Sequence, residues 1–299
     1  MIVVAPRIER ALAANGPVVA LESTIITHGM PWPQNLEVAL GVEAAVREEG
    51  AEPATIAVRD RCVVVGMDEA ELRMLARETG VRKLSSADLA HALVTGETGS
   101  TTVAATLAVM NAAGLKVFAT GGIGGVHRGA ERDFDISADL DALAAHDCVV
   151  VCAGPKAILD VPLTLEALET RGVPVVTMGS DRLPTFWSRD GAFPASLRLD
   201  SPEEVARLAS MRAGLNQRGS ILVAVPVPGE SAIPSVEIGD AIERSLADAR
   251  KGGIAGKQVT PFLLSRMLEL TDGRSLEANT ALILNNARHA ARIAVALAR

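Results

Sequence analysis

The sequence predicts an α/β fold, a three-layer α/β/α arrangement with a mostly parallel sheet and a helical C-terminal layer. Short, nearly continuous apolar runs alternate with longer amphipathic segments, as expected when helices cover both faces of a parallel sheet. After about residue 234 only helical patterns follow. The chain has 299 residues and 48% apolar side chains, enough for a large core. Because no linker-like or charge-rich stretch divides it, we expect a single domain over residues 1–299.

The predicted strands are the apolar runs, and helical patterns separate nearly all of them. Thr55–Asp60 and Arg61–Val65 lie too close together for a crossover helix, so a local hairpin is expected there. The predicted strands are Val18–Leu21, Thr55–Val58, Cys62–Val65, Leu115–Thr120, Cys148–Cys152, Val173–Met178 and Ile221–Val225.

The predicted helices follow the apolar spacing of 3.6 residues. Ser235 is expected to be the N-cap of the first C-terminal helix. The predicted helices are Asn35–Glu49, Asp68–Thr79, Ala87–Leu93, Thr102–Ala113, Pro162–Thr170, Glu203–Asn216, Val236–Arg250, Thr260–Glu269 and Ser275–Leu297.

Composition and charge exclude several classes of partner. Aromatic residues make up 2% of the chain and the net charge is -7, which argues against stacking on nucleic acid or binding its phosphates. No apolar run reaches the ~18 residues of a membrane span, and the first residues lack the pattern of a secretory signal. Cys62, Cys148 and Cys152 form no disulfide framework. We therefore expect a cytoplasmic protein with a small-molecule substrate and neither nucleic-acid nor membrane partners.

Two glycine-rich stretches fail as standard nucleotide motifs. TGGIGGVHRGA (120–130) has Gly122 and Gly124 after a predicted strand, but His127 takes the third position of the dinucleotide fingerprint. It could be a flexible turn, or a loop whose amides approach a phosphate or a ribose. GGIAGKQ (252–258) is one residue short of a Walker loop and ends in Gln258. A nucleotide-dependent sugar kinase is therefore disfavoured.

Charged residues near strand ends are candidates for catalysis. Glu22 follows a predicted strand and could cap a helix or act as a general acid whose pKa is raised by burial. Lys156 lies just beyond the buried run 149–151, where an apolar surrounding favours a nucleophilic, neutral amine. Lys83 precedes the helix-start residue Ser85, and a surface lysine is the simpler interpretation there.

The stretch FDISADLDAL (134–143) allows two interpretations. Asp135, Ser137 and Asp139 alternate, so in an extended segment they would share one side and could bind Mg²⁺ or Mn²⁺. Alternatively, Ser137 or Asp139 begins the helix Leu140–Ala145, which the residue types favour. The five histidines show no metal-ligand spacing, which argues against a zinc enzyme.

Taken together, these segments resemble one family. ALESTIITHGMPWPQN, RKLSSADLA, TGETGSTTVAATL, FATGGIGGVHRG, FDISADL, VVCAGPKAILD and SLEANTALILNNA are similar, in this order and spacing, to pseudouridine-5′-phosphate glycosidases, a family also described as indigoidine synthase A-like. The resemblance runs from about residue 7 to the C-terminus. Two residues depart from it: Pro155, where a small residue is expected, and Trp187, where tyrosine is expected.

The resemblance implies an activity. Such enzymes reversibly cleave the C–C glycosidic bond of pseudouridine 5′-phosphate to uracil and ribose 5-phosphate, with a divalent metal such as Mn²⁺, in pseudouridine degradation. It implies that Lys156 is the covalent nucleophile at ribose C1′, Glu22 the proton donor, and Asp135 the metal ligand. A homotrimer is also implied. The residues implied to contact substrate are Lys83, Val103, His127, Ser137, Ala138, Asp139 and Asn279.

The chemistry of a carbon leaving group explains why a lysine would be needed. Ordinary glycosidases use two carboxylates and expel oxygen or nitrogen. Here uracil C5 must leave with an electron pair, and an iminium at C1′ can accept electron density while an acid protonates C5. Two rivals share part of this pattern: another lysine-imine enzyme, such as an aldolase, and a sugar-phosphate-binding protein without catalysis.

Overall fold

A mostly parallel sheet with helices on both faces organises the chain, which confirms the predicted fold class. The structure, a computed structural model, describes residues 1–254 and 259–299. Most of the GGIAGKQ segment therefore lies outside the described residues. The strands are β1 Ile2–Val4, β2 Val18–Leu21, β3 Glu52–Arg59, β4 Cys62–Val65, β5 Arg82–Leu84, β6 Gly99–Thr101, β7 Val117–Ala119, β8 Val149–Cys152, β9 Val175–Met178, β10 Leu197–Leu199 and β11 Ile221–Ala224.

The order of the strands places β2, β7 and β8 side by side. Strands β3, β2, β7, β8, β11, β9 and β10 are neighbours in that order, and every pair in the row is parallel. Strands β2, β7 and β8 therefore end at the same edge near the middle of the sheet. The chain passes from β2 to β3 on one side and returns to β7 on the other, which creates a crevice at the carboxyl ends of β2 and β7.

The second half of β3 leaves the parallel row and forms a small mixed extension. It pairs antiparallel with β4 and β6, while β6 pairs in parallel with β5. Asp60 and Arg61 turn the chain between β3 and β4 with φ angles of 49° and 60°, the left-handed conformations of a type I′ hairpin. The predicted hairpin is confirmed. Strands β5 and β6 were not predicted, because Arg82–Leu84 and Gly99–Thr101 are too short and polar to form an apolar run.

The helices begin and end close to the predicted positions. Ser235 is the first helical residue rather than the N-cap, because the N-cap is Pro234 and no side chain caps the helix there. Helices α1 and α6 were not predicted. The helices are α1 Pro6–Ala13, α2 Gln34–Glu48, α3 Glu69–Arg77, α4 Leu89–Thr95, α5 Val103–Ala113, α6 Ala130–Asp133, α7 Asp139–Ala145, α8 Val161–Thr170, α9 Pro202–Gly214, α10 Ser235–Lys251, α11 Val259–Leu270 and α12 Arg274–Leu297.

Alternate side chains of each strand enter different halves of the core. Val19 and Leu21 of β2 pack on one side with helices α2, α9, α10, α11 and α12. Val18 and Ala20 pack on the other side with α1, α4, α5, α7 and α8. The C-terminal helices are thus part of one of the two helical layers, with α12 packed against α2, β7 and β8. Among the described residues, no helix combines the length and apolar character needed to cross a bilayer.

Candidate active site

Three polar side chains converge where the central strands end. Glu22 directly follows β2, Thr120 directly follows β7, and Lys156 lies four residues beyond β8. Because these strands are neighbours in the order β2–β7–β8, their ends open into one crevice. The strand order therefore brings an acid and an amine to the crevice, with the buried Thr120 hydroxyl beside the acid.

The Glu22 carboxylate is held by two hydroxyl groups. Thr120 Oγ1 donates to Glu22 Oε1 at 2.5 Å, and the hydroxyl of Thr24 donates to Oε2. Burial raises the pKa of Glu22, and this effect outweighs the opposing influence of the Lys156 ammonium and of the Thr120 hydrogen bond. A carboxyl group with a raised pKa keeps its proton closer to neutral pH and can act as a general acid.

The raised pKa of Glu22 predicts how the stability of the protein varies with pH. A group with a raised folded-state pKa contributes stability that is fully present below its unfolded pKa and is lost as pH rises through the folded pKa. We expect Glu22→Gln to melt at a higher temperature than the wild type at pH 8, by about 3 °C, because a buried ionised group has been removed. The difference should vanish near pH 4, where the carboxyl is protonated in both states. Melting curves at the two pH values measure this, and a lower melting temperature for the variant at pH 8 would contradict it.

Backbone contacts with the glycine-rich loop fix Lys156. Its N–H donates to Ile123 O at 3.2 Å, and Pro155 forms a parallel bridge with Ile123. Gly154 has a φ angle of 87°, and a Cβ there would collide with Pro184 O. Only glycine therefore suits this turn. Pro155 is buried within it, and the lysine side chain emerges at the crevice.

The glycine-rich stretch acts as a structural turn in the crevice. Gly121 O accepts from Ala153 N at 2.9 Å, and Gly124 N donates to the Asp139 carboxylate at 2.8 Å. A Cβ at Gly124 would collide with Ser137. Since the Gly124 amide is already engaged by Asp139, that N–H cannot bind a substrate anion at the same time. Of the two interpretations drawn from the sequence, the turn agrees better with these contacts.

Asp139 is a structural organiser as well as a residue of the cavity wall. It is only 6% exposed, and its carboxylate accepts from Ala104 N at 3.0 Å and from Gly124 N at 2.8 Å. Ala104 belongs to the first turn of α5, where amides lack helical acceptors. Ser137 Oγ accepts from Asp139 N at 3.2 Å as α7 begins. The helix-start interpretation is therefore correct, and the extended arrangement with three oxygen ligands on one side is wrong.

Asp135 lies apart from that pair, beside His127. Its Oδ2 is 3.9 Å from His127 Nδ1, and its side chain is 38% exposed. Burial lowers the pKa of His127, and this effect outweighs the opposing influence of the Asp135 carboxylate; Lys156 lowers it further by a smaller amount. The imidazole is then neutral near pH 7, so this contact is not an ion pair.

The donor set at Asp135 fits a hydrated cation better than a protein cage. Within residues 1–254 and 259–299, no three His, Cys, Asp or Glu side chains group as metal ligands. Asp133, two residues away, uses Oδ1 to accept from Asp135 N. A Mg²⁺- or Mn²⁺-type ion can be bound through a single carboxylate when water and substrate oxygens complete its coordination. Asp135, open to solvent, is compatible with that mode.

The crevice divides into two halves that share Glu22, Thr24, Lys83 and Lys156. We call them the apolar half and the polar half. The apolar half is additionally lined by Ile25, His28, Gly29, Met30, Gly121, Gly122, Phe186, Asn279 and Leu282. The polar half is additionally lined by Thr102, Val103, Gly124, His127, Ser137, Asp139, Ile158 and Leu159.

The structure brings together most of the residues that the resemblance implied. Lys83, Val103, His127, Ser137 and Asp139 line the polar half, and Asn279 lines the apolar half, all with Glu22 and Lys156. Ala138 lines neither half and is the N-cap residue of α7. Asp135 lines an adjoining cleft that shares His127 with the polar half.

Sequence reasoning left several residues of the crevice unassigned, among them His28 and Phe186, and also Thr120, which supports Glu22 from behind. Thr120 could have been found, because it ends a strand as Glu22 does, and only the strand order was lacking. His28 belongs to a π-helical turn, Ile25–Gly29, a conformation frequent at functional sites. Phe186 lies in an irregular segment and has a φ angle of 59° itself, a conformation that no sequence pattern predicts.

Comparisons with known proteins agree over the whole length of the chain. The family described as indigoidine synthase A like protein matches residues 7–296. Pseudouridine-5′-phosphate glycosidase from Paracoccus denitrificans is 58% identical over 300 residues, covering 100% of this chain and 99% of that protein. The protein of the same name from Methylobacterium nodulans is 58% identical over 293 residues, covering 98% of this chain and 87% of that protein.

Solved structures give the same result. The prealnumycin C-glycosynthase AlnA, crystallised with ribulose 5-phosphate, superposes with a TM-score of 0.93 at 38% identity, covering 100% of this chain and 97% of that one. An indigoidine synthase A-like protein from Thermotoga maritima superposes with a TM-score of 0.91 at 34% identity and the same coverage. The predicted resemblance is confirmed, and the chain belongs to the indigoidine synthase A-like family.

Proposed function

We propose that the protein cleaves the C–C glycosidic bond of pseudouridine 5′-phosphate to give uracil and ribose 5-phosphate. The observation that carries the proposal is the position of Glu22 and Lys156 at the junction of an apolar and a polar half-cavity. A bond between a base and a phosphorylated sugar would lie at that junction if the base and the sugar occupied different halves. Relatives that are 51–58% identical bear the name of this activity.

Each half suits one part of the substrate. In the apolar half, the Phe186 ring and Leu282 offer a surface for a flat base, and Asn279 adds a polar group. In the polar half, Lys83 provides a cation, and we assign the 5′-phosphate to it. The first turn of α5 lies nearby, but its Ala104 and Ala105 amides are already bonded to Asp139 and Thr102. Ser137 and His127 supply further polar groups for the ribose.

The first half of the proposed reaction forms a covalent adduct. The Lys156 amine attacks ribose C1′, the C1′–O4′ bond breaks, and O4′ receives the proton lost by the attacking nitrogen. The nitrogen lone pair then forms a C1′=N bond while the C1′–C5 bond breaks. Its electron pair stays on C5, which takes a proton from Glu22 as neutral uracil is released.

Hydrolysis completes the cycle. Water adds to C1′ of the iminium and gives its proton to the Glu22 carboxylate, which restores the acid. The C1′–N bond then breaks as the C1′ hydroxyl becomes the aldehyde carbonyl and its proton passes to the leaving nitrogen, which regenerates the Lys156 amine and releases ribose 5-phosphate as the aldehyde or its ring form. One water molecule is consumed and no oxidant is needed. Thr120 and Thr24 hold the Glu22 carboxylate through both proton transfers.

A divalent metal is proposed near Asp135, because this carboxylate adjoins the polar half through His127. A bound cation there would neutralise charge on substrate oxygens. We expect exhaustive EDTA treatment to reduce turnover by about tenfold or more and Mn²⁺ to restore it. We also expect Asp135→Ala to weaken Mn²⁺ binding, as measured by paramagnetic resonance of the free ion, while Asp133→Asn, its neighbour, binds normally. Full activity after chelation would contradict the proposed need for a metal. Unchanged Mn²⁺ binding by Asp135→Ala would contradict the role of Asp135 as its ligand.

Incubation with pseudouridine 5′-phosphate and Mn²⁺ tests the function directly. We expect free uracil and ribose 5-phosphate in equal amounts, measured by chromatography. Absence of uracil would contradict the proposal. An aldolase-type lysine enzyme would instead act on sugar phosphates without any base, and a binding protein would bind substrate without turnover.

A second candidate is the formation of a C-glycosidic bond to an acceptor other than uracil, since the superposed AlnA is named a C-glycosynthase. Offering ribose 5-phosphate with uracil in the reverse direction separates the two, because only a pseudouridine 5′-phosphate enzyme makes that product. The homotrimer and the cytoplasmic location stay predictions.

A further inference from the structure

Trp187 contacts the apolar half from behind. Its side chain is 1% exposed, and its Nε1 donates to Asn279 Oδ1 at 2.7 Å and to Ser275 O at 3.1 Å. Hydrogen bonds hold both the side chain and the backbone of Trp187 in place. It packs edge-on against Phe186 with 5.1 Å between ring centroids, and its backbone oxygen accepts from Ile233 N at 2.9 Å.

The indole determines which way the Asn279 amide points. An indole N–H can only donate a hydrogen bond, so the atom of Asn279 that faces it must be the amide oxygen. A phenol or an imidazole at residue 187 could donate or accept and would leave the amide free to adopt either orientation. With its oxygen engaged, Asn279 has its –NH2 group left. None of the described residues accepts a hydrogen bond from that group, and Asn279 lines the crevice beside Glu22 and Lys156.

We propose that Trp187 is a specificity-determining residue: it locks Asn279 so that the apolar half presents a hydrogen-bond donor to the base. The site then selects a base that places a carbonyl oxygen at this point and rejects one that places an amino group there. The inference rests on the proposed function for the identity of the base. It adds a reason why a pyrimidine dione is selected over an amino-pyrimidinone of the same shape.

The energetic basis of the selection is the cost of an unpaired polar group. An amino group facing the Asn279 –NH2 would bring two donors together and leave both unsatisfied in a partly buried cavity. Sites built to hydrogen-bond a substrate group discriminate strongly against an analogue that lacks the partner. Phe186, Leu282 and Ile25, which line the same half, are apolar and offer no hydrogen-bonding group of their own.

Product inhibition by three bases tests the proposal. Uracil, cytosine and isocytosine have the same outline, but cytosine carries an amino group at C4 and isocytosine carries one at C2. We expect the wild type to bind uracil at least about tenfold more tightly than one of the two analogues, and that analogue identifies the carbonyl involved.

The variants separate orientation from mere packing. Trp187→Phe removes the indole donor, and we expect it to reduce the preference for uracil by about fivefold or more while inhibition by ribose 5-phosphate changes less than twofold. Asn279→Asp keeps the bond from Trp187 but replaces the –NH2 group by an acceptor, so the preference should reverse toward the amino base. If Trp187→Phe does not fold, the base preference of Asn279→Asp tests the proposal on its own. Trp32→Phe, at the other tryptophan of the chain, serves as the matched control and should leave the preference unchanged.

The outcomes distinguish the inference from the function beneath it. If the wild type releases uracil but Asn279→Asp and a folded Trp187→Phe keep its preference among the three bases, the role of Trp187 is wrong and the function stands. A wild type that neither releases nor binds uracil overturns the proposed function, and the inference with it. If Trp187→Phe weakens uracil and ribose 5-phosphate binding equally, Trp187 only supports the packing of the site.

Discussion

Lys156→Ala is expected to abolish turnover of pseudouridine 5′-phosphate, by about 10⁴-fold or more, because this amine is proposed to form the bond to C1′, whereas Lys83, the other lysine of the crevice, is assigned to the 5′-phosphate. The fold should persist, since the contacts that fix the residue come from its backbone N–H and from Gly154 and Pro155. Reduction with borohydride in the presence of ribose 5-phosphate should add the mass of the sugar to the wild type and not to the variant. Mass spectrometry of the intact protein measures this.

Two other lysines provide matched controls for that experiment. Lys116 is exposed and immediately precedes β7, at the edge of the sheet opposite the crevice, so Lys116→Ala should form the adduct normally. Lys83 lies in the crevice, so Lys83→Ala should still form the adduct but require more ribose 5-phosphate. An adduct on Lys156→Ala, or none on the wild type while uracil is released, would show that catalysis does not use this amine.

The fold was predictable because the apolar runs are long and the periodicity is clear. Strands β2, β4, β8 and β11 were placed to within one residue, since each is a buried run bounded by turn residues. What the sequence could not provide was the order of the strands. Glu22 and Lys156 are 134 positions apart, and only the β2–β7–β8 order brings them to one crevice. Short polar strands such as β5, which contains Lys83, were also not predicted from the sequence.

The sequence predicted which residues would line the site, but it predicted their individual roles less well. Asp139 was expected to begin a helix or bind a ligand. It does begin α7, and its carboxylate also accepts hydrogen bonds from α5 and from the glycine-rich loop. Such a long-range backbone contact leaves no local pattern. Trp187 was noted only as a departure from the expected tyrosine, and its meaning came from the Asn279 oxygen beside it. Distances across the crevice, rather than spacing along the chain, decided these assignments.

Glu22→Gln is expected to separate bond formation from base release. The amide keeps the shape of the carboxylic acid and an oxygen for Thr120, but it cannot give a proton to uracil C5. Borohydride trapping with ribose 5-phosphate should therefore succeed, while uracil release from pseudouridine 5′-phosphate falls by about 10²- to 10⁴-fold. Adduct mass and free uracil, measured on the same sample, report the two steps. Loss of both, or of neither, would contradict the assignment of Glu22 as the acid.

The pH dependence identifies the acid independently of that substitution. Since the protonated form of Glu22 is the proposed donor, turnover should fall as pH rises through its raised pKa. Thr120 lowers that pKa by hydrogen bonding to the carboxylate, so Thr120→Val should raise it further and move the alkaline fall in activity to higher pH. A structural defect would reduce activity at every pH without moving the midpoint. If the midpoint stays fixed in Thr120→Val, the titrating acid is another group, since the hydroxyl donates directly to Glu22.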